Sequence, residues 1–183
     1  GYKPIAVSFA PFITRRVFDQ IAVSCAYAKQ NVKLVGTDPG ITAEANGGTH
    51  MTFEDIAMMR SLPNMLVYDA VDAVQLSQAI PQIMNYEGNA YIRMPRKSRP
   101  DVFKEDYKFT LGKADIVSSG DDITILATGT MVYEALLAKE SLKEKGINAE
   151  VVSVNTIKPL DEETILKSIM KTKHVVTCEN HNY

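Results

Sequence analysis

Short apolar runs rich in Val, Ile and Tyr alternate along this chain with segments whose apolar residues recur every three to four positions. That alternation is the pattern of βα units, in which buried parallel strands are joined by covering helices. It predicts strands near 4–9, 32–37, 64–68 and 90–93 and, after an interruption, near 122–127, 149–154 and 174–178. Ile13, Val17 and Ile21 repeat at four-residue intervals, and Phe18, Cys25 and Ala28 widen the stripe, so one helix is expected over 12–29. Thr52 is placed to cap a second helix ending near Arg60, and Asp72 a third, with Gln75 as its capping-box partner. Leu76, Ile80 and Ile83 face inward on that third helix, which Pro81 is expected to bend. Met131, Ala135, Ala138 and Leu142 define a helix over 130–145 ending at Gly146, and another follows Asp161.

The interruption falls between Met94 and Gly112, where Pro95 and Pro100 flank Arg96, Lys97 and Arg99 and apolar residues are few. The expected layout is therefore a module over 1–93, a charged linker over 94–111 and a second module over 112–183. The expected fold class is α/β: two three-layer αβα modules with mainly parallel sheets. No apolar run approaches the roughly 20 residues of a membrane-spanning helix, and the N-terminal residues do not resemble a secretory signal. A net charge of −2 with the signs interspersed offers no basic footprint for a phosphate backbone. Neither a membrane nor a nucleic acid is an expected partner. Cys25 and Cys178 lie far apart beside apolar neighbours, which suits free thiols in a reducing compartment and a cytoplasmic location. The chain begins without Met, so its start is expected not to be native.

Ligands of open parallel sheets bind beyond the carboxyl ends of the strands, so those ends carry the candidate chemistry. The first strand runs into Phe9 and Phe12, two rings that serve either as core or as a stack for a planar heterocycle. The second runs into a long connection from Asp38 to His50 containing Gly40, Gly47 and Gly48. His50 is either a structural hydrogen-bonder or a group that donates to a substrate hydroxyl and shuttles a proton. Arg93 at the end of the fourth strand holds either an anion or a neighbouring carboxylate. Asp69 and Asp72 read as turn and cap residues. His174 and His181 do not join His50 in a metal-ligand spacing, and no metal site is expected. Phosphate-cradling and nucleophile-elbow motifs are not found.

Several of these segments, taken together, resemble the pyrimidine-binding domain of transketolases: Phe9-Ala10-Pro11-Phe12, Gly40-Ile41-Thr42, Gly47-Gly48-Thr49-His50, Glu54-Asp55-Ile56-Ala57 and Leu62-Pro63-Asn64-Met65. Asn155-Thr156-Ile157-Lys158-Pro159-Leu160-Asp161 and Glu179-Asn180-His181 are similar to the family's C-terminal domain, and the resemblance spans the whole chain. It implies a transferase of carbohydrate metabolism that moves a two-carbon ketol unit from a ketose donor to an aldose acceptor. The implied cofactor is thiamine diphosphate, with magnesium held by another domain. By position, Phe9 and Phe12 match the rings around the aminopyrimidine, His50 the histidine at the donor hydroxyl, and Arg93 an arginine for the substrate's terminal phosphate. Arg15 stands where a third aromatic neighbour is usual.

Two positions depart from the family pattern: Asp38 stands where a phosphate-binding histidine is usual, and Asn46 where an aspartate meets the donor hydroxyl. A carboxylate at Asp38 should repel phosphate, implying a different or non-phosphorylated substrate or a relaxed constraint. The family's catalytic glutamate lies upstream of the first strand, so this chain is expected to be an incomplete site, inactive alone. The implied partners are a sugar or sugar-phosphate substrate and a diphosphate-binding domain or subunit, in a homodimer or heterotetramer. Alternatives are a 2-oxoacid dehydrogenase β subunit, a deoxyxylulose phosphate synthase relative, and a non-catalytic α/β interaction module.

Overall fold

The computed structural model describes residues 1–182. Two mixed, mainly parallel sheets organise the chain, each flanked by helices. In the first sheet, β1 (Ile5–Phe9), β2 (Lys33–Thr37), β4 (Asn89–Met94) and β3 (Met65–Asp69) run parallel in the order β1-β2-β4-β3. β3 is buried at every position and β4 at all but its last, which is why Met65–Tyr68 and Ala90–Ile92 read as apolar runs. One face packs Leu34, Met65, Val67 and Tyr91 against Ile21, Ile56 and Met59; the other packs Val35, Leu66 and Ile92 against Ala79, Ile83 and Phe109.

The second sheet has the order β5-β7-β6-β9, from β5 (Asp115–Ser118), β6 (Ile123–Ala127), β7 (Ala149–Ser153) and β9 (Val175–Cys178). Only β5 runs antiparallel to its neighbour. Helix α5 (Met131–Lys143) covers one face and α6 (Glu162–Thr172) the other. Asp161 caps α6 by accepting from the Thr164 N–H.

The two halves share more than a connecting segment. Strand β8 (Thr156–Lys158), from the second half of the sequence, pairs antiparallel with β3 and completes the first sheet. The segment between β4 and β5 has no regular element, yet Phe103 and Phe109 within it are buried. Asp72 caps α4 (Ala73–Asn85) through the Gln75 N–H, and its second oxygen accepts from the N–H groups of Val102 and Phe103, pinning that segment. The Gln75 side chain accepts from Tyr68 and Val71 rather than reaching back to the cap.

Two further local expectations change. The helix expected over 12–29 is broken into α1 (Ala10–Ile13), a 3₁₀ turn at Arg15–Val17, α2 (Phe18–Gln20) and a π-helical stretch at Ile21–Tyr27. The break is at Thr14, whose hydroxyl donates to the Ala10 carbonyl at 2.6 Å and whose backbone leaves the helical region. Thr52 does not cap the next helix: α3 (Asp55–Ser61) follows Glu54, and Thr52 is fully buried. Asp55 instead starts the helix inside the protein, where its carboxylate meets Arg93.

Candidate active site

Because β1, β2 and β4 are parallel neighbours, the residues leaving their carboxyl ends converge. Phe9 ends β1, Asp38 follows β2 and Arg96 follows β4, and the Asp38 N–H donates to the Met94 carbonyl at 3.0 Å. The long connection after β2 forms a 3₁₀ segment, Gly40–Asn46, then returns through His50 to the rings. The His50 ring lies 4.9 Å from each of the Phe9 and Phe12 rings, and the two phenyl rings lie 5.7 Å apart, edge to face. All three are half-buried, two apolar rings beside one polar ring. The Thr49 hydroxyl is 2.9 Å from His50 Nδ1; with the hydroxyl donating, the imidazole proton sits on Nε2.

Two guanidinium groups border the rings. Arg96 lies 4.5 Å over Phe9 and Arg16 3.9 Å over Phe12. Arg96 is held by Asp38, which accepts from both its backbone N–H, at 2.8 Å, and its Nε. Its Nη2 donates to Asn46 Oδ1 at 3.2 Å. The sequence brings Phe9, Phe12, Asn46 and His50 to one surface, and the structure adds Arg96.

Arg93 is not at this surface. It is 2% exposed, with Nε donating to Asp55 at 2.8 Å, Nη1 to Asp69 at 3.0 Å and Nη2 to the Asn180 carbonyl at 2.5 Å. Its alternation in β4 turns it inward, and two carboxylates plus a carbonyl occupy its donors, so it is a structural cation and not an anion ligand. Asp69 is likewise no turn residue but part of this ion cluster. Burial raises the Asp69 carboxyl to about 6, against the opposing pull of Arg93. Burial, with Asp55 beside it, drives the Tyr91 hydroxyl well above its usual range.

The cluster ties the two halves together at the back of the site. Asn180 accepts from the Ile41 N–H at 3.1 Å and donates to the Pro39 carbonyl at 3.1 Å, clamping the start of the loop that carries Asn46. Gly40 and Gly129 both have left-handed backbone, and a Cβ on either would overlap the Asn180 side chain or the Asp69 carboxylate respectively. In the sequence Arg96 is one of several cations beside prolines and does not stand out. Its legible signal is an acid, Asp38, immediately after the neighbouring strand.

Residues 1–101 match the transketolase pyrimidine-binding domain, and residues 112–183 the transketolase C-terminal domain. The chain belongs to the transketolase family. It is 55% identical over 180 residues to the 6-deoxy-6-sulfo-D-fructose transketolase subunit SqwH of Clostridium sp. (strain MSTE9), covering 98% of this chain and 56% of that relative. Over 183 residues it is 37% identical to an apulose-4-phosphate transketolase subunit of Phocaeicola vulgatus, covering 100% of this chain and 59% of that relative. A solved structure described as a split gene transketolase, inactive beta4 tetramer, superposes with a TM-score of 0.90 at 39% identity, over 99% of this chain and 58% of that one. This transketolase chain thus spans a little over half the length of these relatives. Its family generally uses thiamine diphosphate.

Proposed function

We propose that this chain forms the aminopyrimidine side of a thiamine diphosphate site in a split transketolase-type transferase. The enzyme moves a two-carbon ketol unit from a ketose to an aldose, and the site is completed by a diphosphate-binding subunit that also holds magnesium. The observation that carries this reading is the convergence of Phe9, Phe12 and His50 with Asn46 and Arg96 at three adjacent parallel strand ends. The half-buried rings of Phe9 and Phe12 fit a planar heterocycle. When bound, thiamine diphosphate supplies carbanion chemistry that no side chain offers.

Around that group the chain's own residues bind and orient the sugar. With its proton on Nε2, His50 donates to the donor hydroxyl nearest the reacting carbon and returns a proton to that oxygen as a general acid. The Asn46 amide takes a further hydroxyl, and Arg96 receives the far end of the sugar. Two relatives whose names specify 6-deoxy-6-sulfo-D-fructose and apulose-4-phosphate support a sugar with an anionic end. The solved relative described as an inactive beta4 tetramer supports the need for a second kind of subunit.

The test is ketol transfer by the full-length subunit assembled with its diphosphate-binding partner and magnesium. His50→Ala should lower kcat by about 100-fold or more while shifting the denaturation midpoint little, as expected for a positioned proton-transfer group. Equal loss of activity and stability would return His50 to a structural role and undermine the reading.

A further inference from the structure

The loop that carries Asn46 and His50 has little packing of its own. In its 3₁₀ segment only Gly40, Thr42 and Ala43 are buried, Ile41 is 62% exposed, and Glu44 takes a left-handed backbone at φ 41°. A non-glycine residue keeps such a conformation only where its surroundings over-determine it. The tethers on the solvent side are exposed, Lys97 to Glu44 and Arg96 to Asn46, and an exposed ion pair of the first kind contributes little.

The tethers on the protein side come from the second half of the chain. Strand β9 ends at Cys178, whose carbonyl accepts from the Thr128 N–H at 3.2 Å, and the residues just after it reach both ends of the loop. At the entrance, Asn180 Oδ1 accepts from the Ile41 N–H and Nδ2 donates to the Pro39 carbonyl, each at 3.1 Å. At the exit, the Asn182 N–H donates to the Phe53 carbonyl at 2.9 Å. The Gly40 N–H donates to the Thr52 carbonyl at 2.8 Å, so entrance and exit are also joined to each other. Asn180 itself has no freedom to swing away: it is 8% exposed, its carbonyl accepts from Arg93 Nη2 at 2.5 Å, and its amide lies where a Cβ on Gly40 would stand.

We propose that Asn180 is a positioning residue for ketol transfer, through which the second half of the chain holds Asn46 and His50 where they meet the sugar. The proposal rests on the transferase reading above. Asn180 touches neither sugar nor cofactor and acts through the backbone of Pro39, Gly40 and Ile41. Its influence should divide the site in two. Phe9 closes β1 and Phe12 belongs to α1, both outside the loop, so the aromatic platform for the cofactor stands without Asn180. The sugar contacts of Asn46 and His50 do not.

The experiment uses the full-length subunit assembled with its diphosphate-binding partner and magnesium. Ketol transfer is measured with D-fructose 6-phosphate and 6-deoxy-6-sulfo-D-fructose as donors and D-glyceraldehyde 3-phosphate as acceptor, beside calorimetric titration of thiamine diphosphate. Asn180→Ala removes two hydrogen bonds to the loop, and kcat/KM for the ketose should fall by about tenfold as the competent loop becomes less populated. Saturating ketose re-orders the loop that it touches, so most of the loss should appear in KM, with kcat reduced less than about threefold. The Kd for thiamine diphosphate should change less than about twofold. Gly40→Ala displaces the same amide from the other side, so adding Asn180→Ala to it should change the ketose KM little further. A ketose KM unchanged by Asn180→Ala, or a thiamine diphosphate Kd that rises as much as the ketose KM, would overturn the proposal while leaving the transferase reading standing. No turnover of either ketose by the natural assembly would overturn the transferase reading, and this proposal with it.

Discussion

Replacing Arg93 by Met removes the guanidinium from a buried cluster that contains Asp55, Asp69 and the Asn180 carbonyl. Arg93 is 2% exposed and both carboxylates are buried, so the variant leaves two acids facing each other without a counter-charge. Breaking a buried ion pair by deleting one partner costs about 3–5 kcal/mol. The pH dependence gives an independent handle. Asp69 has its folded pKa raised from 3.8 to about 6, so the folded state binds its proton more tightly than the unfolded state. Stability from this group falls as pH rises through that window, by about 3 kcal/mol in all, and is level above it. Without Arg93 the one strong influence lowering the Asp69 pKa is lost, so the decline extends to higher pH. Urea denaturation of the full chain should therefore show a loss of about 3–5 kcal/mol at pH 7.5 and a smaller one at pH 5. Adding Asp69→Asn should recover part of it. A loss below about 1 kcal/mol with no change in pH dependence would refute the assignment of Arg93 as a core cation.

Gly40→Ala places a Cβ against Asn180 on a left-handed backbone, and is expected to cost about 1–3 kcal/mol in denaturation, more than Gly47→Ala, whose Cβ would meet open space. Asn180→Ala removes the bonds to Ile41 and Pro39, so hydrogen exchange should accelerate at Gly40–Asn46 and leave β3 and β4 protected. Phe9→Ala and Phe12→Ala in the assembled enzyme should each weaken thiamine diphosphate binding by about tenfold, read by titration, with far less effect on chain stability.

Strands β2, β3, β4 and β7 are legible in the sequence because they are buried almost throughout and each carries a short apolar stretch. Strand β8, by contrast, is three residues long, and β5 is a partly exposed run of four, too short to stand out. The broken helix after β1 is hidden because its apolar stripe is genuine. Ile21 is buried and Cys25 and Ala26 pack on the core, while the backbone leaves the helical region at Thr14 and Val17 without interrupting that stripe. The site is legible through Phe9, Phe12, His50 and Asn46, whose motif spacing survives in the fold. The choice between Arg93 and Arg96 is not, since both lie at the same strand end. Only the sheet register, which sets Arg93 beside Asp69 and carries Arg96 past the edge to Asp38, separates a core cation from a surface one.

In the proposed enzyme this chain supplies one side of a thiamine diphosphate site and depends on a second subunit for the other. The most direct measurement is calorimetric titration of thiamine diphosphate with magnesium into the full-length subunit, alone and after assembly with its diphosphate-binding partner. Saturable binding only in the assembly, weakened by Phe9→Ala, is the predicted result. Equally tight binding without the partner, or saturable binding unaffected by loss of the Phe9 ring, would contradict it.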